Sequence, residues 1–279
     1  TEEERYELYI AAWLHDCGKV ATPPHVVDKG TKLETIFDRI ELVKTRMEIL
    51  KRDVEIDFLK RQLNGSLPEF DEKYKKAIKE IDENIKFIEA CNIGGEFMKS
   101  ELQDKIVAIS KQKLFLNNKE VNILTDNEVR NLNITKGTLL PEERDIINDH
   151  ISITIDMLEE LPYPKNLKNI PEFAGGHHEK MDGTGYPKGL KADQMSPQAK
   201  IMAIADIYEA LTAADRPYKD GKKLSQAMRI MGFMKNDYHI DEDLFEIFVN
   251  SGVYKKYAED HVASNQIDKI DEKAVLGTK

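Results

Sequence analysis

Apolar residues recur three or four positions apart along most of the chain, the spacing that lines one face of an α-helix. Leu8, Ala11, Ala12 and His15 fall on such a stripe, and Glu2, Glu3 and Glu4 suit a helix N-terminus, so a helix is predicted over 2–16. Gly18 fits as its C-cap, and residues 20–31, with Pro23, Pro24 and Gly30, read as a loop. A long periodic run follows over 32–64, carrying Leu33, Ile36, Phe37, Ile40, Val43, Met47, Leu50 and Val54. Asn64-Gly65-Ser66 and Pro68 break it, and a second run from Asp71 places Tyr74, Ile78, Ile81, Ile85 and Ile88 on one stripe, ending at Asn92 and Gly94-Gly95. The pair predicts an antiparallel helical hairpin with coiled-coil character.

A third amphipathic segment covers 96–116, and 117–140 is mixed and polar. Pro141 at a first-turn position, with Thr138 as a cap, opens a helix predicted over 142–160. Residues 161–171 form a proline-rich connector, 172–178 a short helix and 182–189 a glycine-rich loop. Further helices are predicted over 197–214, 223–234, 241–249 and 254–264. No segment alternates as a strand does, so the fold class is all-α.

Composition narrows the function classes. The net charge of −10 argues against a nucleic-acid polymer as partner, yet a few cations can still make one pocket positive. Cys17 and Cys91 are too few for a disulfide framework. No run of 18 apolar residues is present, so no membrane segment is expected, and without a visible signal peptide the expected location is cytoplasmic. The chain opens at Thr1 directly onto a helical pattern, which suggests an N-terminally truncated domain with an upstream sensor region in the full protein.

The chemistry-bearing residues stand out against this background. Asp206 is a carboxylate in the otherwise apolar stretch Ile201-Met202-Ala203-Ile204-Ala205-Asp206-Ile207, where burial is costly unless it is paired or binds a metal. His15-Asp16 ends a helix with a buried-looking face, and His177-His178 form a doublet. Imidazole with carboxylate suits Fe, Mn or Zn more than Mg. Neighbouring helical residues diverge by about 100°, so each doublet serves two nearby ions more easily than one, and a multinuclear site is favoured over a single structural zinc. The structural alternative for each doublet is capping or core packing. His25, His239 and His261 read as surface or structural.

Three ordered blocks carry a resemblance. His15-Asp16-Cys17-Gly18-Lys19 is similar to the HD-x-G-K signature of HD metal-dependent phosphohydrolases. The run from His177 to Pro187 resembles the HHE-x-x-DG-x-GYP signature of the HD-GYP family. Ala205–Thr212 followed by Arg216-Pro217-Tyr218-Lys219 resembles that family's ADxxDALT…RPYK block. The likeness covers residues 5–24 and about 138–235.

The resemblance implies an HD-domain helical bundle and a phosphodiesterase that opens cyclic di-GMP to the linear dinucleotide pGpG, and on to GMP. The alternatives are a 3′,3′-cyclic GMP-AMP phosphodiesterase and a weakly active dinucleotide-binding signalling module. It also implies His15, Asp16, His150, His177, His178 and Asp206 as ligands of two divalent transition ions, Fe or Mn, with Asp16 bridging and a hydroxide between the metals as nucleophile. A third ion belongs to family members with ligands on an earlier helix; here only residues 1–14 precede His15, none of them His.

By the same resemblance Lys19 supports the nucleophile or the phosphate. Glu209 stands where the family usually has Asp, in a proton-transfer or water-positioning role. Arg216 and Lys219 bind substrate phosphate, although their block is one residue longer after Thr212 than usual. Tyr186 either stacks on a base or packs, Asp182 fixes the loop, Gly183, Gly185 and Pro187 shape it, and Cys17 packs.

Residues 17–149 lie between Asp16 and His150, where the family has one short loop and half a helix. The expected organisation is therefore 1–31 as the first part of the catalytic domain, 32–137 as an inserted helical hairpin, and 138–279 as the remainder. The insertion reads as a passive appendage, a homodimerisation arm or a lid.

Overall fold

The computed structural model describes residues 1–64, 69–95, 97–116, 119–213 and 221–277; of residues 69–71 only the backbone is described. In chain order the helices are α1 (Glu2–Leu14), α2 (Pro24–Val27), α3 (Ile40–Leu63), α4 (Glu69–Asn92) and α5 (Ser100–Ser110). Strands β1 (Lys113–Leu116) and β2 (Lys119–Asn122) follow, then α6 (Asp126–Leu132), α7 (Pro141–Asn148), α8 (His150–Glu159) and α9 (Ile170–Gly175). The chain closes with α10 (Pro197–Thr212), α11 (Leu224–Asn236), α12 (Glu242–Asn250), α13 (Val253–His261) and α14 (Glu272–Leu276). Helices make up 65% of the structure, and the fold class is all-α.

The chain divides into two compact units, Thr1–Pro23 with Asp145–Lys279, and Pro24–Arg144. In the first, α1 begins in a capping box, with the Thr1 hydroxyl accepting from the Glu4 amide and the Glu4 carboxylate reaching back. Its inward face brings Ala11 against Leu158, Ile170, Phe173, Ala174 and Met202. Buried Glu7 anchors α1 to the start of α9 by accepting from the Asn169 backbone amide at 2.7 Å. A second cluster, including Ile204, Tyr208, Met228, Phe245 and Tyr254, joins α10 to the C-terminal helices. Helix α10 contributes to both clusters, which fixes Asp206 between them in sequence.

The first helix ends at Leu14, before the predicted limit, and Gly18 is not its C-cap. Residues Cys17–Ala21 instead make a short 3₁₀ turn packed on α8, and the Gly18 amide donates to the Thr154 hydroxyl at 2.9 Å. A Cβ at Gly18 would lie 2.1 Å from the His150 carbonyl oxygen and 2.6 Å from the Thr154 nitrogen. Glycine is required there by close approach of two backbones, not by chain reversal. The helix predicted over 142–160 is divided at Asp149 into α7 and α8, and the one predicted over 172–178 ends at Gly175, leaving His177 and His178 beyond it.

The unit Pro24–Arg144 is more than the expected two-helix hairpin. Helices α3 and α4 do pack together, but Leu33, Met47, Ile88, Ile106, Leu114, Ile123 and Leu132 form a core drawn from α3 to α6 and the β-hairpin. The strands pair antiparallel with Lys113 opposite Asn122 and Leu116 opposite Lys119. They escape the sequence pattern because each has four residues, and only Leu114 of β1 is buried. The predicted break at Gly65, Ser66 and Pro68 lies outside the described residues. The Thr138 hydroxyl does not cap α7; it donates to the Lys29 carbonyl at 2.9 Å, and Glu143 takes the Leu140 amide instead. The Lys29 ammonium, its side chain wholly buried, meets Glu143 at 2.7 Å and Asn131 at 2.9 Å.

Overfilling a packed contact costs about 1–3 kcal/mol, and more when the obstacle is backbone. Gly18→Ala is therefore expected to lower the urea midpoint of unfolding clearly, whereas Gly95→Ala, whose added Cβ meets nothing within 4 Å, is expected to leave it near wild type. Equal midpoints for the two variants count against the backbone contact.

Candidate metal centre

Four pieces of the first unit bring the site together. The end of α1 delivers His15 and Asp16, the first residue of α8 is His150, the turn after α9 holds His177 and His178, and α10 presents Asp206. The His15 Nε2 lies 3.3 Å from Asp16 Oδ2 and 3.6 Å from Asp206 Oδ1. The other Asp16 oxygen, Oδ1, lies 3.1 Å from His150 Nε2. Two sets of ligating atoms result, His15–Asp16–His177 and His150–His177–His178, each within 4.8 Å of one another. Asp16 thus offers one oxygen to each set. All six sequence-predicted ligands converge, although they span residues 15 to 206.

Local backbone chemistry aims the rings. His15 Nδ1 lies 2.7 Å from the Ala12 carbonyl, His177 Nδ1 lies 2.6 Å from the Ala174 carbonyl, and His150 Nδ1 bonds the Ile147 carbonyl. Each acceptor is three residues earlier, so the end of the preceding helical turn fixes the ring. A carbonyl can only accept, which places a proton on each Nδ1 and turns each Nε2 inward, toward the carboxylates and the other rings. Among the described residues His178 has no such tether; the Tyr186 ring stacks on it at 4.9 Å between centroids and 18° between planes.

Two features fit a cation here. His150 and His177 are each only 2% exposed, and their Nε2 atoms, together with Asp16 Oδ1, are buried without a hydrogen-bond partner among the described residues. Such atoms cost about 1–3 kcal/mol each when left unpaired, and a shared electrophile removes that cost. The donor set, imidazole nitrogen with carboxylate oxygen, is that of a transition ion.

The charges are poised accordingly. Burial acts to raise the Asp16 carboxyl, but His15, His150 and Lys19 outweigh it and hold the group well below the usual carboxylate range. Burial likewise opposes, and His15 followed by His177 and His178 overcomes, to keep Asp206 low. Burial and the neighbouring His177 press His178 down to about 3, and burial lowers His177 despite its carbonyl bond. Both rings are neutral at ordinary pH, as metal ligands must be. His15 alone is pushed up, to about 10, because Asp16 and Asp206 outweigh its burial.

Lys19 places its ammonium 2.6 Å from Asp16 Oδ2 and remains partly exposed. Glu209 lies one helical turn after Asp206 with its side chain in solvent, and no hydrogen bond or ion pair joins it to the cluster among the described residues. Arg216 and Lys219 lie outside the described residues. Asp182 accepts from the Thr184 amide at 2.9 Å and hydroxyl at 2.7 Å, holding the glycine-rich loop. His25 and His261 are exposed, His239 is half-buried, and none of the three belongs to either ligand set. Sequence reasoning gave no role to Glu179, which is 1% exposed and accepts from the Lys188 and Leu190 amides. Its position directly after the histidine doublet was the available signal.

Residues 125–244 match the family model described as HD domain, a span that includes His150, His177, His178 and Asp206. A 3′3′-cGAMP-specific phosphodiesterase of Vibrio cholerae is 40% identical over 29% of this chain and 19% of its own length. A cyclic di-GMP phosphodiesterase of Pseudomonas aeruginosa is 44% identical over 28% of this chain and 18% of its own. One from Thermotoga maritima is 40% identical over 33% of this chain and 25% of its own. The chain spans a quarter or less of the length of these three relatives.

A ligand that binds only the folded state adds RT ln(1 + [L]/Kd) of stability, about 2.7 kcal/mol at a hundredfold excess over Kd. Manganese added to chelator-treated protein is expected to raise the thermal unfolding temperature in a saturable way, and His150→Ala or Asp206→Asn to abolish most of the rise. A rise of equal size in both variants places the ion elsewhere.

Proposed function

The chain belongs to the HD-GYP family of HD domains, and on that premise we propose that it hydrolyses a phosphodiester bond of a cyclic dinucleotide, cyclic di-GMP first, opening the ring to pGpG. The observation that carries this reading is Asp16, whose two oxygens face two histidine sets that share His177. That arrangement supports two divalent transition ions, Fe or Mn, held by His15, Asp16, His150, His177, His178 and Asp206. Such ions, when bound, activate water and draw charge from phosphoryl oxygens.

The chain's own residues supply the rest. Lys19 holds a positive charge beside Asp16 with room to contact an anionic phosphate from the exposed side. Arg216 and Lys219 are the proposed phosphate grips, the arginine through paired N–H groups. In the overall reaction water oxygen bonds to phosphorus, the P–O3′ bond breaks, and a proton passes to the leaving 3′ oxygen. Glu209 is left out of these roles because its side chain does not join the cluster.

A second substrate, 3′,3′-cyclic GMP-AMP, differs at one base and is favoured by the relative from Vibrio cholerae that is specific for it. The reading sets the enzyme in the cytoplasm, with the inserted unit as a homodimerisation arm. Among the described residues no helix is long and apolar enough to cross a membrane.

Turnover of both dinucleotides, measured side by side on metal-loaded and chelator-treated protein, tests the proposal. The expected result is metal-dependent hydrolysis of at least one, lost by a factor of a hundred or more in Asp16→Asn, with Arg216→Ala acting mainly on KM. Full turnover after metal removal refutes the mechanism, and a pure kcat effect in Arg216→Ala removes that residue from phosphate binding.

A further inference from the structure

Of the four clustered histidines, three are oriented by the helical turn that precedes them and one is not. His15, His150 and His177 each bond a carbonyl three residues back through Nδ1. Neither ring nitrogen of His178 has a hydrogen bond among the described residues, and the ring is only partly buried. A ligating ring needs a fixed rotation about its side-chain bonds, and outer contacts normally supply it.

The His177 and His150 rings lie beside His178 at 4.2 and 5.5 Å between centroids, tilted and edge-on, and the ring stacked face to face on it belongs to the loop that follows it. The Tyr186 ring lies over it at 4.9 Å and 18°, and the Tyr186 amide donates to the His178 carbonyl at 3.2 Å. The loop cannot swing away freely, because it is fastened on both sides of Tyr186. On one side a Cβ on Gly185 would come within 2.4 Å of Glu179 Cα and Lys180 N, so the two backbones are in direct contact. On the other, the buried Glu179 carboxylate accepts from the Lys188 amide at 2.7 Å through Oε1 and the Leu190 amide at 2.9 Å through Oε2. Two charge-assisted bonds into one carboxylate that is 1% exposed make a stiff clasp. The residue next to His178 in sequence therefore ties down the loop that stacks back onto it.

We propose that Glu179 and Tyr186 are positioning residues that orient His178: Glu179 clasps the loop, and the clasped loop presses the Tyr186 ring against the imidazole in place of the missing Nδ1 bond. Neither residue contacts the ion or the substrate phosphate in this role. The inference rests on the metal-site reading above. It assigns a use to the buried Glu179 carboxylate, and it makes the packing of Tyr186 on an imidazole, not on a base, the reason for an aromatic residue at that position.

Cobalt(II) titration of chelator-treated protein, followed by visible absorption, tests this without reference to turnover. Outer-shell changes commonly weaken metal affinity by about 10–100-fold. Tyr186→Ala is expected to weaken binding by tenfold or more and alter the cobalt spectrum, whereas Tyr186→Phe keeps the ring and is expected to restore both. Glu179→Gln presents an amide N–H to one of the two backbone donors, and is expected to shift affinity and spectrum in the same direction as Tyr186→Ala. Circular dichroism of the metal-free variants checks that each is folded. Should Tyr186→Ala and Glu179→Gln bind cobalt with wild-type affinity and spectrum, the positioning role is wrong while the metal site stands. Wild-type protein that fails to bind cobalt overturns both.

Discussion

The structure turns on a concentration of electron-pair donors. Four imidazoles and two carboxylates from separated stretches of sequence are gathered with ring nitrogens and carboxylate oxygens close to one another, and several of those atoms are shut away from water. An array of acceptors like this is unfavourable by itself, since each buried acceptor without a donor loses its hydration and gains nothing. The metal-free response is a protonated His15 held between Asp16 and Asp206, with neutral His177 and His178 beside it. A cation bound among them would answer these acceptors together.

Much of the packing can be read as scaffolding for that array. The Gly18 turn brings Asp16 onto the start of α8, so that Asp16 and His150 meet although their sequence positions are far apart. Helix α10 threads two hydrophobic clusters and thereby holds Asp206 against His15. The segment Pro24–Arg144 has its own core, and buried Lys29 links its beginning to its end through Glu143 and Asn131.

Legibility in the sequence followed range. Helix positions were visible because apolar spacing is local, and the clustered pairs were visible because His15-Asp16 and His177-His178 are adjacent and resemble known signatures. The division at Asp149 and the four-residue strands were not, being too short or too slight to leave a period. The reason for Gly18 was invisible as well, since it lies in the backbone of α8 more than a hundred residues away. The aiming of His15, His150 and His177 by carbonyls three residues back is local, yet it shows only once the helix ends are known. Glu179 was legible as part of a motif but not as a clasp, because its partners are backbone amides that carry no side-chain signature.

The central claim is that these six side chains hold transition ions. Anomalous diffraction from crystals of the metal-loaded protein, recorded across the iron and manganese absorption edges, addresses it directly. The account predicts two peaks enclosed by His15, Asp16, His150, His177, His178 and Asp206, with Asp16 between them. A map with no peak inside that cluster, or with its only peaks elsewhere on the molecule, contradicts it.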